Sequence, residues 1–321
     1  MFKQSFNALS TLVVMLATTA SAIAFDFTII DVPGGTQERA TGVNNLGQIV
    51  GSYLVDGTDQ FDIWVREPSG TIYTFSLPNG RSAQTHRIND LGQVAGLSAI
   101  EDNPTTAVSF GWVFDIDDNS YLEFAYAPPG DPEPDAAITE VTNDGQTVVG
   151  WYDTTVGDFE YLGAVDSIGG GSLTTVDGPS DVFTFIWGTN DSGILVGREF
   201  RSAFISSDGV TFDLFQIDGN FTSANDINNA GVVVGSYFLP GFTEEFGFIR
   251  TADRLLAGIA APNAVQTSID GINDSGVFVG SFSDANGDSF AYFSVVPEPS
   301  SLLLFAGAVF GCLLAGRGRN R

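Results

Sequence analysis

Short apolar runs recur along this chain, each set just behind the same kind of polar turn. The sequence reads GVNNLGQIVGSY from Gly42, RINDLGQVAGLS from Arg87 and EVTNDGQTVVGWY from Glu140. It then reads GTNDSGILVGRE from Gly188, DINNAGVVVGSY from Asp226 and GINDSGVFVGSF from Gly271. The landmark asparagines, Asn44, Asn89, Asn143, Asn190, Asn228 and Asn273, are 45, 54, 47, 38 and 45 residues apart, a mean near 46. An asparagine with a glycine three residues on predicts a type I turn closed by a left-handed glycine, the Asn side chain bonding its own backbone. That spacing pairs Asn44 with Gly47, Asn89 with Gly92, Asn190 with Gly193, Asn228 with Gly231 and Asn273 with Gly276. In the third copy Asn143 stands closer to Gly145, and one extra residue separates Gly145 from Gly150, so its register differs.

The run behind each turn, such as Ile49-Val50 or Val232-Val233-Val234, predicts a strand buried on both faces. A further glycine (Gly51, Gly96, Gly150, Gly197, Gly235, Gly280) ends it, where backbones are expected to crowd. Two more strands follow in each repeat. One is aromatic, from FDIWVRE at Phe61 to SFAYFSV at Ser289; the other follows a small turn, from TIYTFSLP at Thr71 to LLAGIAAP at Leu255. The second kind occurs five times behind its aromatic partner, and the missing sixth copy stands at the front of the chain as FDFTIIDVPG from Phe25. A ring of four-stranded blades leaves open edges unless the N-terminal strand completes the last blade. The pattern therefore predicts an all-β fold, a six-bladed β-propeller of 24 short strands. The alternative, an open β-solenoid, gives no reason to move one strand across the chain. The segment APPGDPEPDAA at 127–137 predicts an inserted surface loop.

The two ends predict export. Lys3, an apolar stretch over 12–17 and the small-residue site Ala22-Ile23-Ala24 before Phe25 read as a secretory signal peptide over 1–24, cut by signal peptidase after passage through the Sec machinery. At the other end, residues 300–316 carry no charge, a helix of roughly 25 Å that falls at the short limit for a bilayer core. Arg317, Arg319 and Arg321 follow it and place the C-terminus on the cytoplasmic side. Pro297-Glu298-Pro299, then an apolar span, then terminal arginines, resembles the PEP-CTERM sorting signal of Gram-negative bacteria. That resemblance implies recognition and removal of the tail by exosortase, transient anchoring in the inner membrane, and delivery to the cell surface or exopolysaccharide matrix. The tail then occupies 296–321, and the body 25–295. The repeats also resemble HAF-type extracellular repeats, on the IN-x-x-G-x-V-V-G part, with Ser202-Ala203-Phe204 nearest to the eponymous triplet.

Composition narrows the chemistry. Within 25–295 stand 38 acidic and eight basic residues, a net charge near −30, which repels phosphate backbones and argues against nucleic-acid binding. The single cysteine, Cys312, lies in the tail, so thiol catalysis, thiolate metal sites and disulfides are excluded from the body. His86 is the single histidine, and no nucleophile motif accompanies it. No glycine-rich phosphate loop follows a strand and opens a helix. Two turns, Asp115, Asp117 and Asn119, and Asp284, Asn286 and Asp288, present oxygens at alternate positions as a calcium loop begins, but Tyr126 and Val295 stand where its twelfth-position acid belongs. The expectation is therefore no cofactor, with Ca2+ the one candidate ion. The expected function is a non-enzymatic scaffold for extracellular polysaccharide or another matrix component; the alternative is a secreted glycosidase or polysaccharide lyase on the same scaffold.

Overall fold

The turns form where the repeated asparagines place them. In the first, the Gly47 amide donates to the Asn44 carbonyl at 3.1 Å, Gly47 has a φ of +82°, and Asn44 Oδ1 accepts the Gln48 amide at 2.9 Å. In the third copy the first position of the turn is taken by Thr142, whose carbonyl accepts the Gly145 amide at 2.9 Å. Asn143 is therefore the second turn residue, equivalent to Asn45 and Asp90, which corrects the register expected from the asparagine spacing. The one-residue shift also accounts for the extra residue before Gly150.

The computed structural model describes residues 25–100, 108–124, 135–153, 161–168, 172–180, 183–251 and 255–296. Residues 26–296 form one unit, and every described strand falls within it. The signal-peptide site Ala22 and Ala24, the sorting residues Pro297, Glu298, Pro299, Arg317, Arg319 and Arg321, and most of the inserted loop lie outside the described residues. Ala136 and Ala137, expected at the end of that loop, belong instead to a strand.

The described chain is all-β. It begins with β1 (Thr28–Ile30) and runs through a first sheet of β2 (Gly35–Val43), β3 (Ile49–Val55), β4 (Phe61–Arg66) and β5 (Ile72–Phe75). The second holds β6 (Gln84–Ile88), β7 (Gln93–Ile100), β8 (Val108–Asp115) and β9 (Tyr121–Phe124). The third holds β10 (Ala136–Val141), β11 (Thr147–Asp153), β12 (Tyr161–Ser167) and β13 (Thr174–Val176). The fourth holds β14 (Thr184–Thr189), β15 (Leu195–Glu199), β16 (Ser202–Ser206) and β17 (Asp213–Phe215). A fifth set follows, of β18 (Phe221–Ile227), β19 (Val233–Phe238), β20 (Glu245–Arg250) and β21 (Leu255–Ile259). The last set starts with a strand split into β22 (Gln266–Thr267) and β23 (Gly271–Ile272), and continues with β24 (Val277–Ser283) and β25 (Ser289–Val295). The split strand makes 25 strands against the expected 24. A parallel bridge from Glu245 to Gln266 joins the fifth and last sets into one nine-stranded sheet. The displaced N-terminal segment supplies the missing strand: β1 pairs antiparallel with β25, Thr28 opposite Phe293 and Ile30 opposite Ala291.

The glycines that end the apolar runs sit where backbone meets backbone. A Cβ on Gly235 would lie 2.0 Å from the Ser223 carbonyl oxygen and 2.7 Å from the ring of Phe248. Gly51, Gly96, Gly197 and Gly280 face the first strand of their set and an aromatic of the third strand in the same way. The core lies between successive sheets: Val50, Ile63, Ile88 and Trp112 join the first to the second. One cluster joins the first set to the last, with Val43, Ile49 and Trp64 packed against Ile30, Val279 and Ala291.

Hydrogen bonds tie each turn to the next. Nδ2 of Asn44 donates to the Asn89 carbonyl at 3.0 Å, Asn89 to Thr142 at 3.1 Å, Asn190 to Asn228 at 3.3 Å, Asn228 to Asn273 at 3.0 Å, and Asn273 back to Asn44 at 3.0 Å. A second series uses the next residue of each turn, where Asn45, Asp90, Asn143, Asp191, Asn229 and Asp274 alternate amide with carboxylate. Every neighbouring pair in it is bonded, at 2.7 Å from the Asn45 amide to Asp90 Oδ1 and at 2.9 Å from the Asp274 amide to Asn45 Oδ1. Alternation keeps like charges from standing side by side.

Candidate functional site

The first strands of five of the six sets, all but β10 of the third, face a shared cavity of about 740 Å3. Five of these strands break their ladder just before the turn: between Ala40 and Gly42, Thr85 and Ile88, Ile138 and Glu140, Ile186 and Gly188, and Ala224 and Asp226. A bulge leaves a residue out of register and re-aims its side chain. The skipped residues Thr41, His86, Arg87, Trp187 and Asn225 line the cavity, whereas Thr139, skipped in the third set, is buried and donates to the carbonyls of Val149 and Ile186.

One wall is a column of flat groups. Phe221 lies 4.8 Å from the Arg198 guanidinium, which lies 4.6 Å from Phe185; Phe185 stacks on Trp187 at 5.6 Å and 8°, and Trp187 lies 5.8 Å from His86. Trp151, Tyr161 and Phe183 support Phe185 from behind at 5.2 to 6.2 Å. Nε1 of Trp187 and Nε2 of His86 are buried and reach no described hydrogen-bond partner. Burial and the neighbouring Arg87 charge depress the His86 imidazole to about 3, so it is neutral at ordinary pH. His86 thus belongs to the cavity wall, a role its sequence context did not signal.

The other wall is polar. It offers Ser223, Ser236, Gln266, Ser268 and Ser281, with the carboxyl groups of Glu245 and Asp270 and the guanidinium of Arg39. Burial pushes Glu245 up from 4.5 to about 7, against the pull of its hydrogen bond from Ser236. Asp270 is also raised by burial, although Ser268 Oγ donates to it at 2.7 Å and Asn225 Nδ2 at 3.3 Å. Beyond this wall, toward the turns, Arg87 forms a bolt. It pairs with Asp226 at 3.3 Å and donates to the carbonyls of Thr41 and Asn225, which links the second sheet to the first and fifth sets. Glu140 joins this group: its carboxyl is raised well above 4.5 by burial and by Asp226, and its Oε2 accepts the Thr189 amide at 2.7 Å. Asp226 Oδ2 accepts the Ile272 amide at 2.8 Å, so every set is engaged at this level.

The turn residues singled out in the sequence lie at one end of this cavity and build its frame rather than its lining. The acids of the two candidate calcium turns do not line the cavity, although Gly287 of the second turn does, and they spend oxygens on their own backbone. Asp284 Oδ1 accepts the amides of Asn286 and Asp288 at 2.8 and 3.1 Å, and Asp115 Oδ1 that of Asp117 at 3.0 Å. Among the described residues no three His, Cys, Asp or Glu side chains gather in a way that could hold a metal ion.

Residues 295–320 match the PEP-CTERM protein-sorting motif. That motif implies an exported protein, anchored transiently in the membrane, processed by exosortase and left associated with the surface. No curated protein matches the chain. Among solved structures it is similar to a catalytically inactive virginiamycin B lyase from Staphylococcus aureus with quinupristin, at 12% identity and a TM-score of 0.47, over 85% of this chain and 100% of that one. An acylaminoacyl peptidase from Pyrococcus horikoshii shares 10% identity at 0.46, over 81% and 44% of the two chains. A glycosyl hydrolase from Bacteroides ovatus shares 9% at 0.40, over 83% and 87%.

The Glu245 carboxyl makes stability depend on pH. Between its unfolded value near 4.5 and its folded value of about 7 the folded chain holds the extra proton, so stability falls as pH rises through that window. His86, depressed to about 3, acts the other way and loses stability as pH falls below 6.5. Comparison with Glu245→Gln isolates the first effect. In urea unfolding at pH 4.5 and 7.5, the wild type should lose about 3 kcal/mol more than the variant on going to the higher pH. Parallel curves for the two proteins would contradict the assignment.

Proposed function

We propose that the six sets form a closed six-bladed β-propeller whose central cavity binds a saccharide of the extracellular matrix, and that the sorting tail delivers this binding module to the cell surface or exopolysaccharide of a Gram-negative bacterium. The observation that carries the binding reading is the pairing of walls. A flat column ending in Trp187 and His86 faces hydroxyl, amide and carboxyl groups across the cavity. Sugars present just such faces, an apolar ring face that packs on aromatic carbon and an edge of hydroxyls that both donate and accept. The unpartnered Trp187 Nε1 donor and neutral His86 Nε2 suit one hydroxyl at once. Closure of the propeller is supported by β1 on β25, by the core shared between the first and last sets, and by the turn-to-turn bonds from Asn273 and Asp274.

A second reading has its own observation. Glu245 and Asp270 share the cavity, and Glu245 keeps its proton to about 7, as a general acid does. Incubation of residues 25–295 with the producer's exopolysaccharide separates the two. Binding measured by co-sedimentation with no new reducing ends or unsaturated products is expected; fragmentation would replace the binding module with an enzyme. An outcome with neither retention nor fragmentation would refute both.

The tail reading has an independent check. Mass spectrometry of the extracellular protein should find a C-terminus near Pro297-Glu298-Pro299 and no Cys312. Intact Arg321 on extracellular material would contradict processing.

A further inference from the structure

Cations are scarce in this chain and concentrated at the cavity. Residues 25–295 hold eight basic residues, all arginine, and Arg39, Arg87 and Arg198 line the cavity. Among the described residues ion pairs form at Arg81 with Glu123, Arg87 with Asp226 and Arg250 with Asp213; Arg39, Arg66, Arg198 and Arg201 form none, and of these Arg39 and Arg198 line the cavity.

Arg198 is also held rigidly. Its guanidinium sits between the rings of Phe185 and Phe221, and Nη1 donates to the Phe200 carbonyl at 2.8 Å. Of the five N–H donors a guanidinium carries, that bond uses one. Burial pushes the group down to about 10, as befits a cation poor in both water and counter-charge. A planar, pre-oriented guanidinium of this kind matches a carboxylate. Arg39 differs: it sits near enough to Asp270 and Glu245 to lower both, and is partly neutralised by them.

We propose that the saccharide taken by the cavity is acidic, a sugar ring bearing a carboxylate, with the ring packed on Trp187 and the carboxylate met by Arg198. This rests on the reading of the cavity as a saccharide site and names its ligand class. The body's net negative charge acts against a polyanion at long range, but at 0.15 M salt that field is screened beyond about 8 Å. Recognition is therefore local, and suits a chain end or short segment entering the cavity. Bound neutral sugars would leave the Arg198 charge uncompensated.

Calorimetric titration of residues 25–295 tests this with four probes of equal length: tetragalacturonate, tetramannuronate, cellotetraose and mannotetraose. At 0.15 M NaCl at least one acidic probe should bind ten or more times tighter than either neutral one. Its affinity should fall several-fold between 0.05 and 0.5 M NaCl. Arg198→Gln, checked for an unchanged fold by its melting curve, should abolish the preference and leave weak binding of the neutral probes; Arg198→Lys should keep part of it. Should Arg198→Gln fail to fold, the salt dependence of the wild type decides. Equal or tighter binding of the neutral probes, or an acidic preference untouched by Arg198→Gln, overturns this inference and leaves the saccharide cavity standing. No binding of any probe overturns both.

Discussion

A hydrogen bond from the Asn273 amide to the Asn44 carbonyl, 3.0 Å long, joins the last turn of the body to the first, and four more of the same kind join the other turns, except the third to the fourth, where Asn143 Nδ2 donates to Asp191 Oδ1. The constraint behind them is geometric. Each tight turn leaves backbone groups that its own strands cannot satisfy, and buried polar groups without partners are strongly disfavoured. In five of the six turns the Asn side chain meets both needs, its Oδ1 closing its own turn and its Nδ2 reaching the next. The second series repeats the logic with alternating amide and carboxylate, an arrangement that returns to its start without a clash only for an even number of turns. With 38 acidic residues in the body, that alternation spares the turns the repulsion that six carboxylates would produce.

Once the turns are fixed, the cavity follows from the strands that precede them. The ladder breaks just before the turn in five of the first strands, and in four of them, all but the third set's, the residues freed from register face the cavity. The arrangement separates two tasks along one strand. The turn residues carry the frame, while Trp187, Asn225 and His86 are free to differ from set to set, which is how one wall becomes aromatic and the other polar. Arg87, Asp226 and Glu140 lie between the two, buried charges that bind one set to another through backbone groups. Removing a single member of such a buried group strands its partners, so these charges are read as structure and not as chemistry.

Much of this was legible in the sequence because it repeats. The turns, the apolar run behind each and the displaced strand FDFTIIDVPG recur in ways that propensity alone would not reveal, and β1 lies on β25 where the displaced strand belongs. The third turn departs from the asparagine spacing because Thr142 starts such a turn without an amide, and the asparagine stands one place later at Asn143. The cavity was not legible. Its residues come from single, non-repeating positions such as Trp187 and Arg198, and only bulges place them together. One further signal does lie in the sequence: the second turn residues alternate Asn, Asp, Asn, Asp, Asn, Asp, a pattern with no purpose unless neighbouring turns touch.

The account stands on the bonds across the seam between the last set and the first, and those can be weighed against an internal seam. Asn273→Asp and Asn228→Asp each keep the oxygen that closes the turn and remove the amide donor to the next turn's carbonyl, at 3.0 Å in both. Urea unfolding should show the two variants losing stability alike, by about 1–3 kcal/mol, as the loss of one buried hydrogen-bond donor predicts. An Asn273→Asp variant as stable as the wild type, beside a weakened Asn228→Asp variant, would mean the seam is open and the ring does not exist in solution.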